Sequence, residues 1–338
     1  VHSRGGRFGF LGDGTMTATG VLSDRQISDM VTDGGIASDV PIVDGQIQPA
    51  SLDLRLGSKA YRVRASFLAG LGKTVHDKLA DFQMHEIELA GGAVLEKGCV
   101  YVVPLMERLD LPAGMTAAAS AKSSIGRLDL LTRIITDNGI EFDRVPEGYT
   151  GPLFAEICPR SFSVVAQPGQ MLTQMIFRQG KTLISDDDLM ALHRETPIVS
   201  GEPVISGGLG FSVDLRPENG DLVGYRAKPH TGVVELAKLA HYDPAEYWEE
   251  VRTTQGRIIL DPGAFYILVS REAITIPPTH AAEMAPYLAM VGEFRVHYAG
   301  FFDPGFGWAE AGGSGSRGVL EVRCHEAPFV LEHGQVVG

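Results

Sequence analysis

The chain is short of cysteine and of positive charge, and it has no long apolar run. Cys99, Cys158 and Cys324 are odd in number and far apart in 338 residues. That excludes a disulfide framework and points to a reducing, cytoplasmic setting. No Cys-x-x-Cys pair is present and no His-x-Glu precedes one, so the signature of zinc-dependent deaminases is absent. The ten histidines show no metal spacing, and His297 reads as a packed residue. No protein-held metal is therefore expected. No apolar stretch is long enough to span a bilayer and no secretory signal is evident, which predicts no membrane partner. Lysine and arginine number 29 against 42 acids, a net charge of -13, so a nucleic-acid partner is not expected. An anionic ligand would have to be held by a local cluster of donors. The first fifteen residues, VHSRGGRFGFLGDGT, show no clear period and read as a leader ahead of Met16.

Helices are also few. Most long segments are β-rich runs cut by glycine and proline, as in GCVYVVPLMERLDLP and AFYILVSREAITIP. Short helices are expected at SDRQISDMVTDGG, SDDDLMALHRE and DPAEYWEEV, each opened by a capping Ser or Asp. The strands come twice. SLDLR at 51–55 returns as SVDLR at 212–216, and LEKGCVYVVPLMERLDLP returns as LDPGAFYILVSREAITIP. Gly98 and Glu156 stand 58 residues apart, as do Gly263 and Glu321; Glu156 to Gln170 and Glu321 to Gln335 are both 14. Equal offsets at several landmarks predict two β domains of one design in tandem, over 16–190 and 200–338, joined near 180–205.

One dense cluster of donors answers the acidic background. KSSIGR, residues 122–127, holds two hydroxyls, two cations and a glycine. One helical turn places Ser123 and Arg127 on the same face. A turn opened by Ser123, Ser124 and Gly126 also offers backbone N–H groups to phosphate. Arg127 adds a planar fork of donors and Lys122 a mobile charge. A solvated helix start with Arg127 in a surface ion pair would use the same residues. Glu156 follows LFA in an apolar strand, where a carboxylate needs partners or a raised pKa. An exposed position on an edge strand would also account for it.

Together, IQPASLDLRLG, KSSIGR, PEGYTG and AEI in the first half, with FFDPGFG and VLEV in the second, resemble the dCTP deaminase branch of the dUTPase-like superfamily. The resemblance covers nearly everything after residue 20, and its tandem form departs from the common single-domain type. It implies distorted β-barrel or jelly-roll domains and zinc-independent hydrolysis of dCTP to dUTP and ammonia, a hydrolase activity on a cyclic amidine in deoxynucleotide biosynthesis. Mg2+ would be carried by the triphosphate. It also implies sites at subunit contacts in a homo-oligomer, with a trimer as the family's ring.

By the same resemblance Glu156 is the general acid/base, with Ser123 and Arg127 beside it. Lys122, Ser124, Gly126, Arg144, Tyr149 and Gln170 bind substrate, Tyr149 against the deoxyribose. Two departures divide the halves. The first half has Pro146 where the family has a hairpin aspartate. The second keeps that aspartate as Asp303, with Phe306 as its ring and Glu321 as its strand acid, but reads AMVGE (289–293) where KSSIGR should recur. Either the second domain serves structure alone, or KSSIGR and the group Asp303, Phe306 and Glu321 form a composite site. The more complete set around Glu156 favours that residue. A dUTPase, a bifunctional enzyme or a non-catalytic nucleotide-binding regulator are the competing functions. The glycine-rich GGSGSRG at 312–318 lacks a Gly-Lys-Ser/Thr ending and reads as a flexible hairpin arm.

Overall fold

A computed structural model describes residues 19–285 and 300–338, together with the backbone of 294–296. The AMVGE segment and His297 lie outside the described residues. The chain is mainly β, and the repeat in the sequence reappears as a repeat in sheet order. In the first half, strands run in the order Leu130–Thr136, Thr150–Pro159, Val100–Asp110, Lys59–Val63, Gln83–Glu88. The second half gives Phe294–Val296, Ser316–Cys324, Phe265–Ile274, Leu222–Ala227, Trp248–Arg252. All neighbours in both sheets are antiparallel. The strands carrying Glu156 and Glu321 occupy the same second place, so the two acids are topological twins.

A further sheet in the first half is built from Met115–Ala121, Met171–Gln179 and Ser51–Arg55 at its centre. Leu52, Leu54 and Met175 from this sheet meet Tyr101, Val103, Ile134 and Ile157 from the other in one apolar core. Period-two alternation then turns Asp53 and Arg55 to the opposite face. Both are still buried, and a buried charge needs a counter-charge. Arg55 donates to Glu107 at 2.7 Å, and Asp53 accepts from Lys122. The twin aspartate of the second half, Asp214, pairs instead with Arg317. The second half thus supplies, from its hairpin arm, the cation that the first takes from KSSIGR. That arm is tied back by hydrogen bonds: Gly313 and Gly315 donate to the carbonyls of Trp308 and Gly307, and Arg317 also donates to the Ser270 carbonyl at 2.6 Å.

The halves are packed against each other along a seam. Val164–Ala166 pairs in parallel with Val234–Glu235. Phe162 sets its ring edge-on to Tyr247 and Trp248, at centroid distances of 5.6 and 5.4 Å. Val234 and Tyr247 therefore belong to the core of the first half. Burying such rings stabilises by about 1.5–3 kcal/mol each, which fixes the two units in one register. Ala50, Ile176 and Phe301 form a second apolar contact across the seam.

Candidate active site

KSSIGR lies at the seam. It folds as a single turn, Ser123–Gly126, rather than a longer helix. The N–H groups of Ile125 and Gly126 are both taken by the Lys122 carbonyl, at 2.8 and 2.9 Å. Ile125 and Gly126 are buried, while Ser123, Ser124 and Arg127 are exposed on one side. Hydroxyls and a guanidinium are thus among the donors at the exposed positions. Lys122 is anchored from beneath by Asp53, whose carboxyl is pushed up by burial against the opposing pull of that lysine.

The second half brings its acids to this loop. Glu321 sits in the strand Ser316–Cys324, opposite Ile267, and is 4% exposed. Burial pushes its pKa up to about 8, opposed by the positive charge of Arg127 and by its own backbone N–H. It makes no ion pair among the described residues. Asp303 arrives on the hairpin before that strand. Its pKa is raised first by burial and further by the charge of Asp53, against the lowering influence of the Ala50 N–H. Phe306 follows three residues later, half-buried against Phe302 with ring centroids 5.0 Å apart. Three oxygens from this neighbourhood are buried without a hydrogen-bond partner: Asp303 Oδ1, Asp53 Oδ1 and Ser51 Oγ. Buried polar atoms are rarely left so, and a polar ligand would complete them.

Glu156 stands in a different environment. It faces Arg133 in the antiparallel ladder and accepts from Arg133 Nε at 3.1 Å and from its Nη2. The guanidinium is held in turn by Ser66 Oγ at 3.1 Å and by the Phe142 ring, 3.7 Å from its centroid. One oxygen of Glu156 is thus tied into an ion pair, and Oε2 is buried without a partner. Nearby Asp143 has its pKa raised to about 7, mainly by burial, against the Ile134 N–H and Arg133.

The remaining candidates are scattered. Tyr149 is buried; its hydroxyl donates to the Pro152 carbonyl at 2.7 Å and accepts from the Asp137 N–H at 3.2 Å. Burial raises its pKa to about 12. That ring serves its own hairpin, and the structure does not bring it to KSSIGR. Arg144 is exposed on a two-residue edge strand beside Met115–Ala121. Gln170 Oε1 accepts from the Gln167 N–H at 2.8 Å, while its Nε2 is buried without a partner. Residues missed in the sequence are Asp53, Asp129 and Arg323. Asp53 carried a readable signal, since an aspartate in an apolar strand recurs at the same motif position in both halves.

Residues 18–181 match the family described as the 2'-deoxycytidine 5'-triphosphate deaminase N-terminal domain, and residues 185–338 match its C-terminal domain. The structure is similar to a crystal structure of 2'-deoxycytidine 5'-triphosphate deaminase from Agrobacterium tumefaciens, with a TM-score of 0.90 and 53% identity over 95% of this chain and 96% of that one. The chain is also 30% identical to a dCTP deaminase of Halorubrum lacusprofundi, over 48% of its own length and 78% of that protein. A dCTP deaminase, dUMP-forming, of Coprothermobacter proteolyticus is 27% identical over 46% of this chain and 81% of that protein.

Proposed function

The chain belongs to the 2'-deoxycytidine 5'-triphosphate deaminase family in a two-domain form, and from that premise we propose that it hydrolyses dCTP to dUTP and ammonia at a composite centre. Ser123 and Arg127 of the first domain face Asp303, Phe306 and Glu321 of the second. The observation that carries this reading is the state of Glu321: buried, without an ion pair, under the field of Arg127, and with its pKa raised to about 8. A general acid/base works best when its pKa lies near the working pH. Glu156 is instead engaged by Arg133, so the role moves to its twin.

The reaction asks for two protons of water to be moved, one to the exocyclic nitrogen and one to N3. As the oxygen of water bonds to C4 of the cytosine ring, the Glu321 carboxylate takes a proton from that water. It then returns the proton to the exocyclic nitrogen, the bond from C4 to that nitrogen breaks, ammonia leaves, and the proton of the C4 hydroxyl passes to N3 to give the uracil ring. Ser123 orients the water, and Arg127 offsets negative charge on the ring and on the nearest phosphate. Lys122, held by Asp53, adds a second cation for the triphosphate. The free oxygen of Asp303 accepts from a sugar hydroxyl, with Phe306 packed against the sugar.

Magnesium travels with the substrate in this proposal. The loop that meets the phosphates offers hydroxyls and cations, and its neighbouring carboxylate, Asp53, is engaged by Lys122. The metal's ligands are then the nucleotide's own oxygens. Zinc independence rests on the donor set: no Cys-x-x-Cys pair is present, and among the described residues no trio of His, Cys, Asp or Glu is placed to hold a metal. A cytoplasmic setting fits a chain with three cysteines scattered along its sequence, and no described helix is long and apolar enough to cross a membrane. Exposed Leu71 and Ile140, on adjoining hydrogen-bonded loops, suit contact with further copies of the chain.

The deciding experiment is ammonia release from Mg-dCTP by the full chain carrying Glu321→Gln or Glu156→Gln. Loss of turnover by about 100-fold or more is expected for Glu321→Gln, the usual scale for removing a general acid/base, with Glu156→Gln remaining active. The reverse pattern would overturn the assignment. A second reading has the same site also cleave the triphosphate: Asp303 offers an unpartnered carboxylate oxygen, and several relatives are named dUMP-forming. Pyrophosphate in the product mixture distinguishes that bifunctional enzyme from a pure deaminase.

A further inference from the structure

Behind the composite site lies a cross-domain contact that the chemistry above does not use. Asp129, two residues beyond Arg127, accepts from Arg323, two residues beyond Glu321. Both pairs, 127 with 321 and 129 with 323, therefore share the separation of 194 residues that this bond spans. Asp129 and Arg323 are buried. Ser161 Oγ donates to the same Asp129 oxygen at 2.7 Å, and Arg323 also donates to the Gly263 carbonyl while lying over the Phe265 ring, 5.9 Å from its centroid. At its other end Asp129 is bound into the phosphate loop: its N–H donates to the Gly126 carbonyl, and its carbonyl accepts from the Arg160 N–H, each at 2.9 Å.

The backbone shows that this placement is specific. Asp129 has φ +53°, a left-handed conformation that glycine adopts more readily than any side chain. A buried acid stands where the local geometry favours glycine. On the other strand, Glu321 and Arg323 are two apart and so share a face, about 7 Å from one another along the strand.

We propose that Asp129 and Arg323 are positioning residues for the deamination: their ion pair locks the phosphate loop of one domain to the acid-bearing strand of the other and thereby sets the Arg127–Glu321 geometry. The proposal rests on the composite-site reading. A clamp of this kind acts on alignment in the transition state. Small displacements of reacting groups cost rate heavily, whereas the triphosphate still meets Ser123, Arg127 and Lys122. Its loss is therefore read in kcat far more than in KM.

The test is a double-mutant cycle in the full chain, with Asp129→Gly, Arg323→Gln and the two combined. Glycine suits φ +53°, so Asp129→Gly removes the carboxylate while relaxing the backbone. Melting curves establish that each variant is folded, and kcat and KM for Mg-dCTP are then measured by ammonia release. The expected result is a fall in kcat of at least tenfold in each single variant with KM changed less than threefold, and a double variant no slower than the worse single. Should Arg323→Gln not fold, Arg323→Lys carries the test, with kcat expected between wild type and Asp129→Gly. Folded single variants with kcat within twofold of wild type, multiplicative losses in the double variant, or Arg323→Lys slower than Asp129→Gly would each overturn the clamp. Glu321→Gln separates the two levels: if it stays active, the composite reading and the clamp fail together. If it is inactive while the clamp variants turn over normally, the clamp alone fails.

Discussion

Arg127 and Glu321 come from opposite domains, and the charge of one acts on the carboxyl of the other. The interaction joins the only KSSIGR motif in the sequence to a strand acid in the half that lacks that motif. It also makes the behaviour of Glu321 depend on a residue of the other domain.

Removing the guanidinium should therefore be felt twice. In Arg127→Met the charge that lowers the Glu321 pKa is gone, so that pKa should move above about 8 and the rise of kcat/KM with pH should shift to higher pH. Triphosphate affinity should fall by about tenfold or more, since a charge-assisted hydrogen bond is worth about 1.5–3 kcal/mol. Isothermal titration with dCTP and a pH–rate profile check the two effects separately.

Stability should fall as pH rises through the range of Glu321. Its folded pKa, about 8, lies above the ordinary value of 4.5, so between those values the folded state holds a proton that the unfolded state has lost. The linkage slope is negative there. Glu321→Gln, which cannot ionise, should become more stable relative to wild type from pH 5 to pH 9, by up to about 4 kcal/mol at the alkaline end. Melting temperatures of the two proteins across that range test it, and a constant difference would contradict it.

The Arg55–Glu107 pair supports the Asp53 strand from below, with side chains 3% and 0% exposed. Glu107 also accepts from the Gln46 amide and from the Arg55 N–H, each at 2.8 Å. Glu107→Ala leaves a buried cation and several donors unpaired, and should cost about 3–5 kcal/mol. Denaturant titration is the measurement.

Gly318 lies three residues before Glu321, and its N–H donates to Ser270 Oγ at 2.8 Å. A Cβ there would stand 2.4 Å from Phe211 Cε1. Gly318→Ala must push ring or strand aside, at about 1–3 kcal/mol for overpacking. Because the strand carries the acid, kcat should fall alongside the melting temperature.

Much of the architecture could be read from the chain alone. Equal offsets between Gly98 and Glu156 and between Gly263 and Glu321 announced two copies of one design, and the sheets have the same strand order. The donor cluster at 122–127 was also readable, because opposite charge stands out in an acidic chain. The environments that separate Glu156 from Glu321 were not. They depend on Arg133, which meets Glu156 only once the ladder register is set, and on Arg127, whose charge acts on Glu321 from the other domain. The Asp129–Arg323 contact spans 194 residues and has no local pattern. The surroundings of Tyr149 were hidden for a related reason: that its hydroxyl donates to the Pro152 carbonyl of its own hairpin is set by the fold.

Carrying both contributors on a single polypeptide changes how damage spreads through an assembly. Where neighbouring protomers lend each other parts of a centre, one faulty copy spoils its neighbours, and two differently broken copies can mend each other when mixed. In the proposed composite centre loop and acid are translated together, so each copy would stand or fall alone. Blending Arg127→Met chains with Glu321→Gln chains should rescue nothing, and diluting intact chains with broken ones should lower output only in proportion to their share.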